Sequence, residues 1–498
     1  MPSLSKVGKW RRRLQLVLWV ALGFMILIAV GAGLTWYSLE RTAAEGKKEL
    51  AAAIAETDAL DPRWRWEEIQ EDLPPIPDSE NSMRVISQLA DSLKDWNPAE
   101  LLLSDGNEVL EDWAANRQLD EEGITLIRDV REKRERSLAL GISLRDYPHG
   151  RKTIELSPDL LNTSLEHAQH CRLVYSLMGV DIEELLSQKQ VEPVPERIRS
   201  ILHASAALRD DLNLVSQLVR MAGRGVAVRE TERLLGMAEV EDSDLRHLVG
   251  YFEAEQNENL MLTGVRGERA GWHFVYENIH SGRLSFAEFL ARTRGNSGSK
   301  PELSLRVAGF LGEPTLYEDH AYMLRWINEA WKIAQLPAPQ QSSAWRRHED
   351  DFRTGSGDIH PPRWRPISFF FMPSFRKIGE ASLRDQSRLS CVIAALAAER
   401  FRLAHKRWPN DLQELCPTYL KEVPIDPFDG KPLKLAQRDD GIVIYSVDKD
   451  GNDDGGDIHK QSPEDDDPKD LGVRLWNPDH RRLPPEPKKK DQPHDDDP

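Results

Sequence analysis

The segment ILHASAALRDDLNLVSQLVRMAGRGVAVRETERLL, residues 201–235, carries the pattern that decides the fold class. Its apolar residues recur at steps of four and three, which places them on one face of an α-helix. These apolar positions are Leu208, Leu212, Val215, Val219, Ala222 and Val226. Charged residues mostly fall away from that face, among them Arg209, Asp210, Arg220, Arg224 and Arg229. The segment therefore predicts an amphipathic helix in a helical core.

The same helical pattern continues from residue 83 to about residue 336. Further candidate helices cover residues 82–96, 122–140, 164–178, 242–255, 285–293 and 317–333. This region shows no convincing strand alternation and no glycine-rich phosphate-binding motif. We therefore expect an all-α ectodomain over residues 83–336. The whole chain is expected to be mainly α, with a transmembrane helix before this domain and a small α+β module after it.

An apolar run at residues 14–34 follows five basic residues near the amino terminus. About 20 apolar residues, with a rise of ~1.5 Å each, cross a hydrocarbon layer of ~30 Å. The basic residues predict a cytoplasmic segment at 1–13, one span of the cell inner membrane at 14–36, and a periplasmic location for the bulk of the chain. A cleaved secretory signal is the alternative. The run exceeds the roughly 7–15 apolar residues of such a signal, which favours an uncleaved anchor.

The regions between the predicted domains have the composition of connectors. Residues 37–82 are expected to form a helical stalk and then a proline-rich linker, which Trp64 and Trp66 clamp onto the body. Residues 337–380 are expected to be a second linker. Residues 459–498 combine Pro, Asp and Lys with few apolar residues, which predicts a disordered tail.

Charge and cysteine content exclude some classes of protein. The formal net charge of −17 argues against a nucleic-acid partner, because phosphate binding needs a clustered basic face. The three cysteines, Cys171, Cys391 and Cys416, are too few for a disulfide framework. A bridge between Cys391 and Cys416 is one alternative. Their apolar surroundings favour the other, two buried free thiols.

Residues 381–458 change from a helical to a mixed pattern. A helix is followed by two extended runs, residues 431–436 and 442–447, which Asp440-Gly441 separates. Asp-Gly between alternating apolar runs is a strong signal for a β-hairpin. The region is therefore expected to form a small α+β module.

The order of motifs in this module resembles a known family. The motifs are AAERFRL at 397–403, RWP at 407–409, VPIDPFDGKP at 423–432 and IYSVDKDG at 444–451. Together they are similar to the globular domain of the major pseudopilin of type II secretion systems, over residues 389–458 only. The resemblance implies a helix packed on an antiparallel sheet and a calcium ion in the loop after the last strand. Here the apolar helix lies far upstream of the module, so the resemblance implies a shared fold rather than a filament subunit.

The residues of that loop also suggest calcium by their own spacing. Asp450, Asn452 and Asp454 alternate with other residues and precede a glycine, which lets a loop wrap Ca²⁺ with oxygen ligands. The loop is not an EF-hand, because its twelfth position is Gln461 instead of Glu. Asp448 and Asp457 are expected to complete the ligand set. The alternative is an acidic turn that runs into the tail.

No motif for catalysis is evident. His167 and His170 share a helix face, but no second cluster supplies zinc ligands, which favours ordinary surface histidines. We therefore expect a non-enzymatic protein with no catalytic residues. Its expected role is scaffolding or protein binding in the bacterial envelope, linked to type II secretion-like machinery, with the membrane and envelope proteins as partners. The alternative is an envelope hydrolase whose site lies unrecognised in the helical domain.

Overall fold

Helices dominate the computed structural model, which describes residues 4–97, 101, 114–294, 301–354, 359–362, 365–371, 374–458 and 469–485. The helices are α1 Leu4–Leu60, α2 Trp66–Asp72, α3 Ser82–Ser92, α4 Glu121–Lys133, α5 Glu135–Ser143, α6 Glu166–Ser187, α7 Val194–Ala206, α8 Leu214–Met237, α9 Asp242–Gln256, α10 Leu260–His280, α11 Phe286–Thr293, α12 Leu303–Gly312, α13 Leu316–Ile333, α14 Ala338–Thr354, α15 Ser368–Phe371 and α16 Phe375–His405. The strands are β1 Lys434–Arg438, β2 Gly441–Ser446 and β3 Leu471–Trp476. The prediction of a mainly α chain with a small antiparallel sheet is confirmed.

The segment at 201–235 forms two helices instead of one. α7 ends at Ala206, and α8 begins after Asn213, whose side chain accepts a hydrogen bond from the Val215 amide at 2.8 Å. Asn is a favoured N-cap because its oxygen satisfies an amide that has no helical partner.

The buried face of α8 is also not the one that the apolar spacing predicts. Val215 is exposed, whereas the Arg220 and Arg224 side chains are fully buried. Both guanidinium groups bind Glu255 of α9, at 3.0 and 2.8 Å, and Arg224 also binds Asp385 of α16 at 2.8 Å. Buried charges need such partners, because an unpaired charge is expensive to remove from water. The partners lie 31 or more residues away in sequence, so the local pattern could not reveal this ion-pair network.

α16 joins the C-terminal module to the helical domain. It packs on α8 and α9 with one side and on β2 and β3 with another. Apolar side chains from residues 83–252 and 389–475 consequently form one hydrophobic cluster. The module therefore shares its core with the helical domain.

The sheet has the order β1-β2-β3, and both strand pairs are antiparallel. The predicted hairpin is confirmed: Arg438 pairs with Gly441 across the Asp439-Asp440 turn. β3 comes from the segment predicted to be a disordered tail, and this prediction is wrong for residues 469–485. Val473 and Leu475 of β3 lie opposite Ile444 and Ile442, and all four side chains are buried. Residues 459–468 and 486–498 lie outside the described residues.

α1 is a single helix of 57 residues that includes both the predicted membrane span and the predicted stalk. Its apolar half is long and apolar enough to cross a membrane, and its side chains from Leu16 to Leu34 are exposed to solvent. Its second half packs along α13, where Leu50 and Ala53 meet Ala321 and Leu324. The predicted stalk is therefore a part of the folded body.

Both predicted linkers contain helices that pack on the body. In the first, Trp64 and Trp66 are buried, so the expected clamp is present, and Trp66 is the first residue of α2. In the second, α14 lies against α13 and α16. Trp345 of α14 is fully buried, and its neighbour His348 packs against Trp326 with ring centroids 3.6 Å apart. The expectation of a linker at 337–380 is corrected accordingly, since aromatic anchors fix α14 to the core.

Candidate functional sites

The predicted calcium loop begins with a residue that points inward. Asp448 lies two residues after the end of β2, and its backbone adopts the left-handed conformation with φ of 53°. Its side chain is buried and lies 3.1 Å from the guanidinium group of Arg384 on α16. Asp448 thus joins the loop to α16 through a buried ion pair.

The remaining predicted ligands lie along the exposed part of the loop. Asn452 donates to the Asp450 carboxylate from its backbone amide at 2.9 Å and from its side chain at 3.2 Å. Asp454 lies 3.9 Å from the Lys469 ammonium group, and the Asp457 carbonyl accepts from the Asp470 amide at 3.0 Å. Asp450 and Asn452 are therefore in contact, whereas Asp448, Asp454 and Asp457 interact with other residues. The calcium site stays a prediction.

Two further aspartates that the sequence analysis omitted help to form this loop. Asp453 accepts hydrogen bonds from the Tyr445 hydroxyl at 2.9 Å and from the Gly455 amide at 3.1 Å. Asp470 is fully buried, and its Oδ2 accepts from the Gly456 amide at 2.8 Å. Burial raises the pKa of Asp470, and the neighbouring backbone amides of the loop oppose that shift only in part. Asp470 was missed because it lies in the segment that was predicted to be a tail.

The histidines considered for zinc at the sequence level have different surroundings. His167 is buried, and its Nε2 lies 2.7 Å from a carboxylate oxygen of Asp211. The expectation of a surface residue is therefore wrong for His167, because Asp211 supplies a buried polar partner from 44 residues away. The three cysteines are free thiols, and burial raises the pKa of both Cys171 and Cys391.

A second group of histidines lies between α10 and α13, and sequence reasoning missed it. His273 and Glu277 lie one helical turn apart on α10, and His320 faces them from α13. One potential ligand atom from each of these three residues lies within 4.8 Å of the other two. The Nδ1 of His273 is 3.0 Å from the Nε2 of His320. Among the His, Cys, Asp and Glu residues that the structure describes, these three form the group whose potential ligand atoms lie close enough together to share one metal ion.

A third histidine and several aromatic rings surround this group. His280 Nε2 lies 3.4 Å from Nδ1 of His320, on the side of the ring away from His273. Tyr276 stacks on His320 with centroids 4.4 Å apart, and Trp64 lies 4.6 Å from the His273 ring. Burial lowers the pKa of His273 to about 3 and that of His280 to about 4, and it holds the pKa of His320 well below its usual value. All three imidazoles are therefore neutral at pH 7.

The spacing His273-x₃-Glu277-x₂-His280 could have revealed three of these four residues, since residues at i, i+4 and i+7 share one helix face. The partner from α13 could not be found this way, because it lies 40 residues further along the chain.

Comparison of the chain with protein-family models, with curated proteins and with solved structures finds no match.

Proposed function

We propose that this chain is a single-pass, membrane-anchored protein of the bacterial envelope, with its body in the periplasm and a scaffolding or protein-binding role. The observation that carries the proposal is the continuity of α1. Its apolar half makes no contact with the body, and its second half is part of the body. About 12 residues separate Leu34, at the end of the apolar run, from Gly46, which lies against Tyr317 of α13. At ~1.5 Å per residue, this holds the body within about 18 Å of the apolar segment.

The exposed face of α12 supports a position at the membrane surface. Leu303, Val307, Phe310 and Leu311 are exposed large hydrophobic residues, and their spacing places them on one side of the helix. The opposite side of α12 packs on α11, where Gly309 closely approaches Ala287.

The apolar face of α12 also lies toward the apolar half of α1, as the direction of the helices indicates. α13 runs in the same direction as α1, because Gly46 lies beside Tyr317 and Thr57 binds Asn328 further along both helices. The turn Glu313–Thr315, which follows α12, also contacts α1. α12 therefore lies at the end of the body that is closer to the apolar half of α1, where a bilayer would cover exposed apolar side chains.

Two further parts of the proposal rest on the resemblance to the pseudopilin domain. The loop after β2 binds Ca²⁺, and the partners of the body belong to type II secretion-like machinery. The buried carboxylate of Asp470 fits a cation at this loop, because its Oδ1 makes no hydrogen bond to the described residues. A bound cation would compensate the cost of burying this oxygen.

The anchor is tested with the full-length chain in cells. We expect the protein to stay in the membrane fraction after carbonate washing, and a phosphatase reporter fused after residue 498 to be active, which requires export. Release into the soluble fraction, or an inactive reporter on a stably produced fusion, would contradict the proposal.

The position of α12 is tested by photo-crosslinking to lipid. A benzoyl-phenylalanine replaces Phe310 in one variant and the exposed Glu253 of α9 in a control. We expect lipid adducts at position 310 and none at position 253, because α9 packs on α7 and α16 instead of lying near α12. Equal labelling would show that α12 does not face the bilayer.

The scaffolding role is tested by crosslinking in cells, followed by pulldown of the full-length chain. Recovery of specific envelope proteins, lost when the body is deleted and α1 is kept, supports the role. Recovery of the same proteins by α1 alone would refute it.

A further inference from the structure

We propose that His273, Glu277 and His320 bind a divalent transition-metal ion of the zinc class. The proposal concerns the interior of the helical body and does not depend on the proposed role in the envelope. It rests on convergence: two helices far apart in sequence direct two nitrogens and one carboxylate toward one point.

The distances in this group suit such an ion. A tetrahedral zinc ion with Zn–N distances of ~2.0–2.1 Å holds its ligand atoms about 3.3 Å apart. The observed separation of His273 Nδ1 and His320 Nε2 is 3.0 Å, so a few tenths of an ångström of movement produce the metal geometry. Glu277 is half-buried, and rotation of its side chain brings one oxygen to the same point. Three protein ligands leave a fourth position open.

His280 acts as a positioning residue in this arrangement. A histidine that binds a metal through one nitrogen usually donates its other ring N–H to a polar neighbour, which fixes its tautomer. When Nε2 of His320 binds the ion, its Nδ1 carries the proton, and His280 Nε2 is the acceptor 3.4 Å away. The His280 ring is itself held by stacking on Tyr317, with centroids 4.1 Å apart.

The residue types in this group also favour a metal over a purely structural role. The Nδ1 of His273 and the Nε2 of His320 already face each other across 3.0 Å inside the body, so both nitrogens point to one position. The Glu277 carboxylate makes no hydrogen bond or ion pair with the side chains of the described residues. A carboxylate beside two imidazole nitrogens offsets part of the charge of a divalent cation and is a common third zinc ligand.

Ligand type and access restrict the identity of the ion. Two imidazoles and one carboxylate suit Zn²⁺ and its neighbours in the transition series, whereas Ca²⁺ and Mg²⁺ prefer all-oxygen sites. His273 and His320 are buried, and the fully buried Trp64 packs against the His273 ring. The ion therefore enters past Glu277 and His280, which are both partly exposed.

The test uses the full-length protein in detergent, purified with a tag that lacks histidine and then stripped of metal with a chelator. Zinc is titrated into it by calorimetry, and Co²⁺ is added separately as a spectroscopic probe. We expect one zinc ion per chain and the intense visible absorption of tetrahedral cobalt. Failure to bind either ion would overturn the proposal without bearing on the membrane anchor.

Variants separate ligands from positioning residues. His320→Gln and Glu277→Gln are each expected to abolish the one-to-one binding, and His280→Gln is expected to weaken it by about 10–100-fold. His247→Gln, which changes an exposed histidine of α9, is the control and should bind like the natural protein. Because His320 is buried and its replacement can disturb folding, Glu277→Gln decides the outcome, since its side chain is partly exposed and keeps its shape. Unchanged zinc affinity in a folded Glu277→Gln variant would refute the assignment.

Discussion

Replacement of Arg481 by alanine is predicted to destabilise the whole body, although the residue lies only 17 positions from the end of the sequence. The Arg481 side chain is buried, and its guanidinium group donates to three acceptors. It binds the Trp476 carbonyl at 3.0 Å, the Ala238 carbonyl at 2.8 Å and the Glu399 carboxylate at 2.8 Å. One side chain therefore ties the end of β3 to both α8 and α16.

The magnitude follows from these three contacts. A hydrogen bond that involves a charged group contributes about 1.5–3 kcal/mol, and breaking a buried ion pair costs about 3–5 kcal/mol. In the variant, Glu399 keeps Arg402 as a partner, with contacts at 2.8 and 3.0 Å. The loss of stability therefore lies at the lower end of the range for a broken buried ion pair. We expect Arg481→Ala to lower the free energy of unfolding by about 3 kcal/mol at pH 7.

This loss should shrink in acid. Burial alone would raise the pKa of Glu399, but Arg402 and Arg481 outweigh it and hold the pKa below the ordinary value of 4.5. A lowered pKa in the folded state gives stability that is present above pH 4.5 and is lost as the pH falls through the folded-state pKa. The difference between the natural protein and Arg481→Ala is therefore expected to narrow below pH 4.5.

The assay is urea denaturation of the full-length chain in mild detergent, monitored by tryptophan fluorescence. The urea concentrations at the midpoint of unfolding are compared between variants whose m-values are the same. Arg246→Ala is the control, because Arg246 forms an exposed pair with Asp242 and should cost less than about 1 kcal/mol. If Arg481→Ala unfolds at the same urea concentration as Arg246→Ala, the C-terminal segment does not hold β3 to the helices.

Three further substitutions probe other parts of the body. Gly267→Ala should prevent stable folding, because its Cβ would overlap the Leu212 carbonyl oxygen. Gly250→Ala, with open space around it, should be neutral or slightly stabilising in circular-dichroism melts. Trp64→Ala should cost about 3–5 kcal/mol and expose the connection between α1 and α2 to protease, and an unchanged digestion pattern would contradict the clamp. Burial raises the pKa of Glu230 to about 7, so the contribution of this side chain to stability is lost as the pH rises from 4.5 to 7. The Glu230→Gln variant should therefore melt at a higher temperature than the natural protein at pH 8 and at about the same temperature at pH 4. The same difference in melting temperature at both pH values would refute the pKa shift.

Local patterns predicted the helices and the hairpin well, because they depend on neighbours within a few residues. The Asp440-Gly441 turn and the long apolar run of α1 are both signals of this kind. β3 carried a weaker local signal, the alternation of Leu471, Val473 and Leu475, but the polar composition around it outweighed three apolar residues. Its pairing with β2 is what makes it a strand, and that pairing crosses 20 or more residues of acidic sequence.

The buried polar groups were the hardest features to predict. Arg220 and Arg224 have the spacing of a solvent-facing helix side, and their ion pairs with Glu255 and Asp385 make their burial possible. The group formed by His273, Glu277 and His320 was missed for the same reason, because tertiary packing of α10 on α13 brings these residues together. The type and position of each such residue are known from the sequence, but the contacts between them depend on the tertiary fold.

The shared core of residues 83–252 and 389–475 has a consequence for biosynthesis. Nearly 140 residues separate the two segments that form this core. A ribosome working at about 5–20 residues per second needs roughly 7–28 s to synthesise the residues between them. During that interval the inner faces of α8 and α9 are synthesised but have neither α16 nor the sheet to cover them. Chaperones that shield apolar surfaces should therefore bind the nascent chain in this window. Premature termination just before residue 469 should leave the product dependent on them, since β3 is among the last parts of the core to emerge.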